Sequence, residues 1–280
     1  MKFGYVLPSG DARLAAEYAR QAEAAGWDGF FVWEPVWGFD AWVSLTAAAM
    51  RTERIRLGTM LSPLSRMRPW KLASETLNLD RLSDGRVILS VGLGAPESGF
   101  HWFGEITDRK KRAELLDEGL EVLTHLWRGQ PFDYDGQHYH VHITQTPFPP
   151  LPPATLQQPR IPIWVVGAWP RHRSMQRALR YDGLLPNILA PDGKVRMSPP
   201  TVEEIQHIST YIYEQVADDR PYDIIVEGTT LGDSPSEASD IVHPYAEAGA
   251  TWWIEALWDA SEGDAVLQRI QQGPPTYPRF

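Results

Sequence analysis

The fold of this chain is decided by the stretch RIRLGTMLSPLSRMRPWKLASETLNLDRLSDGRVILSVGLG, Arg54–Gly94. Near its two ends, Ile55–Met60 and Arg86–Val91 are short apolar runs that predict β-strands. Between them, Pro69–Leu82 has a proline in its first turn and predicts an α-helix. A strand–helix–strand unit whose strands are apolar on both faces is typical of a parallel sheet.

The same alternation continues on both sides of this unit and predicts eight strands, each followed by a helix. The predicted strands are Lys2–Leu7, Gly29–Trp33, Ile55–Met60, Arg86–Val91, Ile163–Val166, Gly183–Leu185, Ile224–Glu227 and Thr251–Glu255. The predicted helices are Ala12–Ala25, Asp40–Arg51, Pro69–Leu82, Arg109–Arg128, Arg171–Arg180, Thr201–Val216, Ser236–Ala248 and Glu262–Gln271.

The predicted fold class is therefore α/β, a (β/α)8 TIM barrel that forms a single domain over residues 1–280. An insertion follows the fourth helix: Gln130–Val141 predicts a hairpin around Asp135-Gly136, and the proline-rich Thr146–Arg160 predicts an extended connection. A doubly wound open sheet is the alternative architecture. The first predicted strand is not followed by a GxGxxG motif, which argues against the dinucleotide-binding form of that sheet.

Composition narrows the classes of function. The chain has 26 Lys and Arg against 36 Asp and Glu, a net charge of −10, which argues against nucleic acid as a partner. It has no cysteine, which excludes disulfides, thiolate metal sites and a cysteine nucleophile. The N-terminus lacks a signal-peptide pattern and no apolar run is long enough to span a membrane. We therefore expect a cytoplasmic protein with no membrane partner.

In a TIM barrel the active site lies at the carboxyl ends of the strands. The residues at these ends are mostly apolar or aromatic, with glycine at positions 92, 94 and 167. Such a site suits a flat apolar ligand that is held by backbone groups. The opposed carboxylates of a glycosidase and the clustered His and Asp of a metal hydrolase are not visible there. We therefore predict no metal.

The chain resembles the bacterial luciferase-like flavin-dependent oxidoreductases. The resemblance is carried by Arg54–Gly94 and by three more segments in the family's order, AEYARQAEAAGWDGFFVWE, WRGQPFDYDGQHYHV and PIWVVGAWPRHRSMQRALRYDGLLP. It implies a β/α barrel that binds FMN, or the deazaflavin coenzyme F420, and transfers hydride at the central C5/N5 position of the ring. FMN is the main expectation, because the long acidic tail of F420 should prefer a more basic rim than this acidic chain offers.

The resemblance also implies site residues. Glu34 matches an acidic position near the ring, and an ion pair with the next helix is the alternative role. Met60-Leu61 matches the place of a non-proline cis peptide bond against the ring, and Ser62 follows it as a further cofactor residue. Backbone contacts to the ring and ribityl chain are implied for Leu93, Gly94, Gly167 and Ala168, although tight strand-to-helix turns would use the same residues.

A phosphate is bound by backbone N–H groups at a helix N-terminus or by arginine forks. The segment AWPRHRS, Ala168–Ser174, enters the fifth predicted helix and supplies both kinds of donor. A solvated basic turn is the alternative interpretation. The predicted phosphate-binding residues are Trp169, Arg171, Arg173 and Ser174.

At two positions this chain has a different residue type from the sugar-phosphate dehydrogenases of the deazaflavin branch. Pro35 stands where they carry a histidine, and Ala95 stands where they carry a glutamate. We therefore predict that this chain does not oxidise glucose 6-phosphate. His101, in the loop after the fourth strand, is the predicted proton donor, because histidine exchanges protons near neutral pH. With Glu34 it forms the predicted catalytic pair, and an ordinary surface histidine is the alternative.

These observations predict an enzyme, a flavin-dependent oxidoreductase or monooxygenase that transfers hydride or oxygen through FMN to a small, largely apolar substrate. An F420-dependent reductase or dehydrogenase and a non-catalytic flavin-binding protein are the alternatives. A third is a phosphate-binding barrel isomerase or lyase with Glu227 or Glu255 at a strand end. We also expect a homodimer that forms through the second and third helices.

Overall fold

The computed structural model describes residues 1–143, 150–217, 220–258 and 263–275. Within these residues, eight parallel strands close into a barrel around which the helices pack. In chain order the strands are β1 (Lys2–Leu7), β2 (Gly29–Val32), β3 (Arg56–Thr59), β4 (Val87–Val91), β5 (Asp133–Asp135), β6 (His140–His142), β7 (Ile163–Trp169), β8 (Gly183–Ile188), β9 (Asp223–Gly228) and β10 (Trp252–Ala256).

Barrel closure is made by β10, which pairs in parallel with β1 from Lys2 opposite Trp252 to Val6 opposite Ala256. The order around the barrel is β1, β2, β3, β4, β7, β8, β9, β10, while β5 and β6 form a separate antiparallel hairpin. The predicted TIM barrel is therefore confirmed, and the alternative of an open doubly wound sheet is wrong.

The helices follow the predicted order. They are α1 (Ala12–Ala24), α2 (Ala41–Ala49), α3 (Pro69–Leu82), α4 (Arg109–Leu126), α5 (His172–Leu179), α6 (Val202–Tyr213), α7 (Pro235–Glu247) and α8 (Gly263–Gln271). Helix α6 begins with a capping box, in which Thr201 and Glu204 each bind the other's backbone N–H. Glu262, the first residue of the last predicted helix, lies outside the described residues.

Strands β7 and β8 each extend three residues beyond their predicted ends, to Trp169 and Ile188. Gly167 and Pro186 lie opposite each other in this extension, and both residue types weaken a strand prediction. Pairing between the two neighbouring backbones nevertheless continues to their ends. The extension places Asn187 in the wall of the site described below.

The barrel interior is filled below its open end. Phe31, Trp164 and Trp252 pack together with ring centroids 5.2–6.0 Å apart. Glycines on three strands make room for Phe31, since a Cβ at Gly4, Gly29 or Gly58 would lie 2.7, 2.6 or 3.0 Å from its ring. Because this layer is packed, the open space inside the barrel lies at the carboxyl ends of the strands, which we call the barrel mouth.

The insertion after α4 packs on the outside of the barrel. One carboxylate, that of Glu118 on α4, accepts hydrogen bonds from the backbone N–H groups of Gln137, His138 and Tyr139 at the hairpin turn. The following chain docks on α3, where the Asp80 carboxylate accepts from the N–H of Leu156. Residues 144–149, which include the start of the predicted proline-rich connection, lie outside the described residues.

Among the helices of the described residues, none is both long and apolar enough to cross a membrane.

Candidate active site

A cavity of about 470 Å³ opens at the barrel mouth. This volume falls in the usual range of about 300–1,000 Å³ for small-molecule sites. Met60 and Leu61, at the end of β3, form one wall. Glu227 belongs to β9, four strands away from β3 in either direction around the barrel, and so lies on the opposite wall. Further apolar lining comes from Val166, Leu185, Ile188, Ile225 and Ala256.

The peptide bond between Met60 and Leu61 is cis, as the resemblance implies. Both residues line the cavity. Ser62 follows them and keeps the chain attached to the barrel, because its N–H donates to the carbonyl oxygen of Ser90 at 2.8 Å. The predicted group at the β3 end is thus placed at the mouth, with two members in the cavity wall and the third buried behind it.

Glu34 lies behind this wall, just after β2. The Ser62 hydroxyl donates to Glu34 Oε2 at 2.6 Å. Arg66 approaches the other carboxylate oxygen at 4.0 Å and also donates to the carbonyl oxygen of Pro35 at 2.7 Å. The structure therefore brings Glu34 next to Ser62 and the cis peptide, although Glu34 lies 28 residues before Ser62 in the chain. The Glu34 side chain is 12% exposed.

The environment of Glu34 gives its carboxyl group an unusual acidity. Burial raises the pKa of Glu34 to about 7, although the Ser62 hydrogen bond and the charge of Arg66 both act to lower it. The more distant carboxylates of Glu75 and Asp40 act in the same direction as burial. A carboxyl group with such a pKa can hold or release a proton near neutral pH, as general acid–base chemistry requires.

The β4 end supplies Leu93 and Gly94, but their carbonyl groups are engaged within the protein. Arg112 of α4 donates to both carbonyl oxygens, at 2.7 and 2.8 Å. Gly94 has a φ of +73°, and a Cβ there would lie 2.7 Å from the Phe100 ring and 2.8 Å from Pro63. The glycine is required by this turn, and a cofactor contact by these residues stays a prediction.

The β7 end and the start of α5 hold the predicted phosphate-binding group. Ser174 accepts a hydrogen bond at its hydroxyl from the N–H of Ala168 at 2.9 Å. Arg171 donates to the carbonyl oxygen of Gly193 at 3.0 Å, and Arg173 is exposed. Trp169 packs edge to face against Tyr211, with centroids 5.4 Å apart. These groups lie at one end of the barrel, and their binding of a phosphate stays a prediction.

Gly167 serves the packing between β7 and α5. A Cβ at this position would lie 2.3 Å from Leu184 and 3.2 Å from the Met175 sulfur. The glycine therefore lets strand and helix approach closely, and a contact with the cofactor is not needed to explain it. A backbone contact of Gly167 with the cofactor stays a prediction.

His101 lies in a short 3₁₀ turn, Phe100–Phe103, after β4. The side chain is exposed, as are its neighbours Trp102 and Phe103. The structure does not place His101 in the cavity wall. Its role as a proton donor stays a prediction.

Glu227 is a cavity residue that the sequence interpretation considered only for an isomerase or lyase. Its Oε1 accepts a hydrogen bond from Trp258 Nε1, and both residues line the cavity. Burial raises the pKa of Glu227 above its usual range. The signal that could have identified it is strand alternation, since Ile225 faces the barrel interior and Glu227 follows two residues later.

Glu255 was expected at the mouth as well, and that position is wrong. It lies on β10 between Ile254 and Ala256, which face the interior, so its own side chain faces the helical layer. There the fully buried carboxylate accepts from the N–H and hydroxyl of Thr230, at 2.7 and 2.8 Å, and pairs with Arg269 at 3.4 Å. Glu255 is therefore a structural residue.

In the part of the chain that the structure describes, no three His, Cys, Asp or Glu side chains are grouped closely enough to hold a metal ion. The polar groups in the cavity wall come instead from single residues on separate elements, among them Asn187, Arg196, Glu227, Thr229 and Trp258.

A closed parallel barrel with a cavity of this size and buried acids at its mouth has the architecture of the TIM-barrel enzymes. Residues 1–250 match the family model described as luciferase-like monooxygenase. The chain belongs to this luciferase-like family of flavin- or F420-dependent oxidoreductases.

Relatives and solved structures agree with this assignment. An F420-dependent glucose-6-phosphate dehydrogenase of Nocardia farcinica is 39% identical over 102 residues, 35% of this chain and 30% of that protein. The matched regions span less than half of the length of the curated relatives.

Two solved structures share the fold. The coenzyme F420-dependent tetrahydromethanopterin reductase from Methanopyrus kandleri has a TM-score of 0.77 at 16% identity, over 98% of both chains. The oxygenating constituent of 3,6-diketocamphane monooxygenase from Pseudomonas putida, in complex with FMN, has a TM-score of 0.65 at 19% identity, over 88% of this chain and 73% of that chain. FMN as the leading cofactor is therefore not confirmed, and F420 is equally supported.

Proposed function

We propose that this protein is an oxidoreductase that binds F420 or FMN across the barrel mouth and acts on a small, largely apolar substrate in the adjoining cavity. The observation that carries the proposal is the buried Glu34–Ser62 pair behind the wall that Met60 and Leu61 form in this cavity.

The residues present fit a flat ring system. Gly92 keeps the wall between Leu61 and Val166 smooth, since a Cβ there would come within 3.0 and 3.1 Å of those side chains. The indole nitrogen of Trp33 is buried without a hydrogen-bond partner in the described residues, and its ring packs edge to face on Trp258. A polar atom at the edge of a bound ring would satisfy that donor.

Either cofactor supplies two-electron redox chemistry when bound, and the protein orients it and excludes water. Met60, Leu61 and Val166 provide an apolar surface beside which the reacting groups are shielded from solvent. Glu34 holds a proton at Oε1, because Oε2 already accepts from Ser62. Arg66 fixes the backbone that directly follows this acid by donating to the carbonyl oxygens of Glu34 and Pro35.

F420 is the first choice of cofactor, and the reaction is then a reduction or dehydrogenation without oxygen. The support is that curated relatives at 35% and 39% identity carry names of F420-dependent enzymes. FMN is the second choice, with monooxygenation as the reaction, because a structural neighbour is an FMN-dependent monooxygenase. The cavity itself is compatible with either ring, since both are flat tricycles of similar size.

We expect a titration of the purified protein with F420 and with FMN, in oxidised and reduced forms, to give micromolar binding of one of them. The readout is the change in cofactor absorbance and fluorescence on transfer into an apolar site. Binding of neither cofactor would contradict the proposal and favour a different barrel chemistry. Binding without turnover of any reductant would favour the non-catalytic flavin-binding alternative.

We expect no oxidation of glucose 6-phosphate, although relatives are named for that activity. Pro35 and Ala95 replace the two polar residues that the resemblance associates with it. Arg196, the arginine among the described cavity residues, is already paired with Glu204 at 2.6 Å. The measurement is the absorbance of F420 with glucose 6-phosphate in excess, with a sugar-phosphate dehydrogenase of the family as positive control. Turnover at a comparable rate would refute the prediction.

The remaining expectations stay predictions. A homodimer through α2 and α3 is supported by the exposed apolar side chains of Val43, Met50 and Trp70 on these helices. Sedimentation would test it. The extent of a single domain over residues 1–280 and a cytoplasmic location are likewise proposed.

A further inference from the structure

Glu227 occupies a distinctive position in the cavity. It stands on β9, opposite the Met60–Leu61 wall, and its side chain points towards the space between them. Trp258 Nε1 donates to Oε1 and orients the carboxylate, and among the described residues no hydrogen bond to Oε2 competes with a ligand. The mechanism proposed above uses Glu34 and assigns Glu227 no task.

The Glu227 carboxylate lacks a positive partner within the described part of the chain. Among the described residues, no Lys, Arg or His nitrogen forms an ion pair with it, and the nearby Arg196 is bound to both carboxylate oxygens of Glu204, at 2.9 and 2.6 Å. Glu255 on the adjacent strand, which does have an arginine partner, faces the other side of the sheet. Withdrawing a carboxylate from water without a cation is costly, and a ligand that brings a cation offsets this cost.

The rest of the cavity defines the other part of the ligand. Met60, Leu61, Val166, Leu185 and Ile225 are apolar, so the ligand should present carbon to them. The net charge of −10 also favours the approach of cations over anions.

We propose that Glu227 determines substrate specificity and selects molecules that carry a protonated amine beside an apolar group. The ammonium lies at Glu227 Oε2, and the apolar group lies towards Met60 and Leu61. This inference deepens the proposed function, since it places the substrate of the oxidoreductase in the same cavity.

The acidity of Glu227 agrees with this assignment. Burial raises its pKa, while the Trp258 hydrogen bond acts in the opposite direction. An ammonium ion at Oε2 would stabilise the ionised carboxylate and draw the pKa back down. Binding of the amine is therefore coupled to loss of a proton from Glu227.

The test uses three probes that share a phenyl group, namely 2-phenylethylamine, 2-phenylethanol and phenylacetate. Binding is followed by NMR through the indole N–H signal of Trp258 in protein labelled with ¹⁵N-tryptophan, which Trp258→Phe identifies by its loss. We expect the amine to bind at least about tenfold more tightly than the alcohol, as for a charge-assisted hydrogen bond, and phenylacetate to bind most weakly.

Glu227→Gln keeps the size of the side chain and an acceptor for Trp258 but removes the charge. We expect it to abolish the preference for the amine over the alcohol. Glu214→Gln removes the same charge from an exposed residue at the end of α6 and should leave the preference for the amine intact. Equal affinities for amine and alcohol in the unaltered protein, or a preference retained in Glu227→Gln, would overturn the proposal.

Absence of any Trp258 shift with all three probes up to roughly 10 mM, the limit of weak binding, would also overturn it. The comparison of probes on the unaltered protein stands even if a variant does not fold. Cofactor titration on the same sample separates the two hypotheses. Cofactor binding without a preference for the amine would refute only this inference. A preference for the amine without cofactor binding would refute only the proposed function.

Discussion

Replacement of Glu34 by glutamine is expected to lower kcat by about 100-fold or more, in the range found when a general acid or base is removed. Glutamine retains an acceptor for the Ser62 hydroxyl but cannot hold and release a proton. The limb that Glu34 contributes to the pH–rate profile, centred at its pKa of about 7, should disappear in the variant. A residue that only supports the structure would not remove a limb of that profile.

The same substitution should stabilise the protein in a manner that depends on pH. Burial raises the pKa of Glu34 from 4.5 to about 7 in the folded chain, so protonation favours the folded state. This stability is fully present below pH 4.5, and it is lost as the pH rises to about 7 and above. Glutamine does not ionise, so the variant should gain up to roughly 3 kcal/mol over the unaltered protein at pH 8 and little at pH 4.5.

Both effects of Glu34→Gln can be measured with steady-state kinetics and denaturant unfolding between pH 5 and 8. Glu214→Gln, at the exposed end of α6, is the matched control and should change neither quantity appreciably. An unchanged pH–rate profile would remove Glu34 from the chemistry. A stability difference that did not vary with pH would show that its acidity is not perturbed.

Replacement of Glu255 by glutamine is expected to destabilise the fold by about 3–5 kcal/mol, the usual cost of leaving one partner of a buried ion pair alone. Arg269 would keep its hydrogen bonds to Thr230 and to the carbonyl oxygen of Gly273 but lose its counter-charge. Arg269 is only 5% exposed, so water cannot replace the carboxylate.

Glu227→Gln is the matched comparison for Glu255→Gln, one strand away. This substitution should leave the free energy of unfolding unchanged or increase it. Burial raises the pKa of Glu227, and the carboxylate has no cationic partner among the described residues, so removing its charge costs the fold nothing. Unfolding in guanidinium chloride at pH 7 measures both variants. Equal losses of stability in the two would contradict the assignment of one glutamate to the structure and the other to the cavity.

These two glutamates show why part of the site escapes prediction from sequence. Both are acidic residues near the end of a predicted strand, and residue type and position in the chain do not distinguish them. Alternation along each strand does, because Glu227 shares a face with Ile225 and Glu255 shares a face with Trp253. Alternation predicts the face of the sheet, but Trp258 and Arg269, which complete the two environments, come from elements that only folding brings near.

The resemblance and the residue pattern succeeded where the interactions are local. The β3–α3–β4 unit of Arg54–Gly94 and the bounds of Pro69–Leu82 are both confirmed. Their determinants are turn residues, capping side chains and hydrophobic periodicity within a few residues of each other. His101 illustrates the opposite case, because its loop follows a correctly predicted strand but leads the side chain into solvent.

The sequence by itself determined the alternation of strands and helices, and through it the barrel and the end at which the site lies. The tertiary structure alone decided which side chains meet there and how acidic they are. The physical reason is that a helix or strand is stabilised largely by neighbours along the chain, whereas the pKa of Glu34 depends on burial and on Ser62 and Arg66, about thirty residues away. Desolvation and hydrogen bonding at that distance exist only after the barrel has closed.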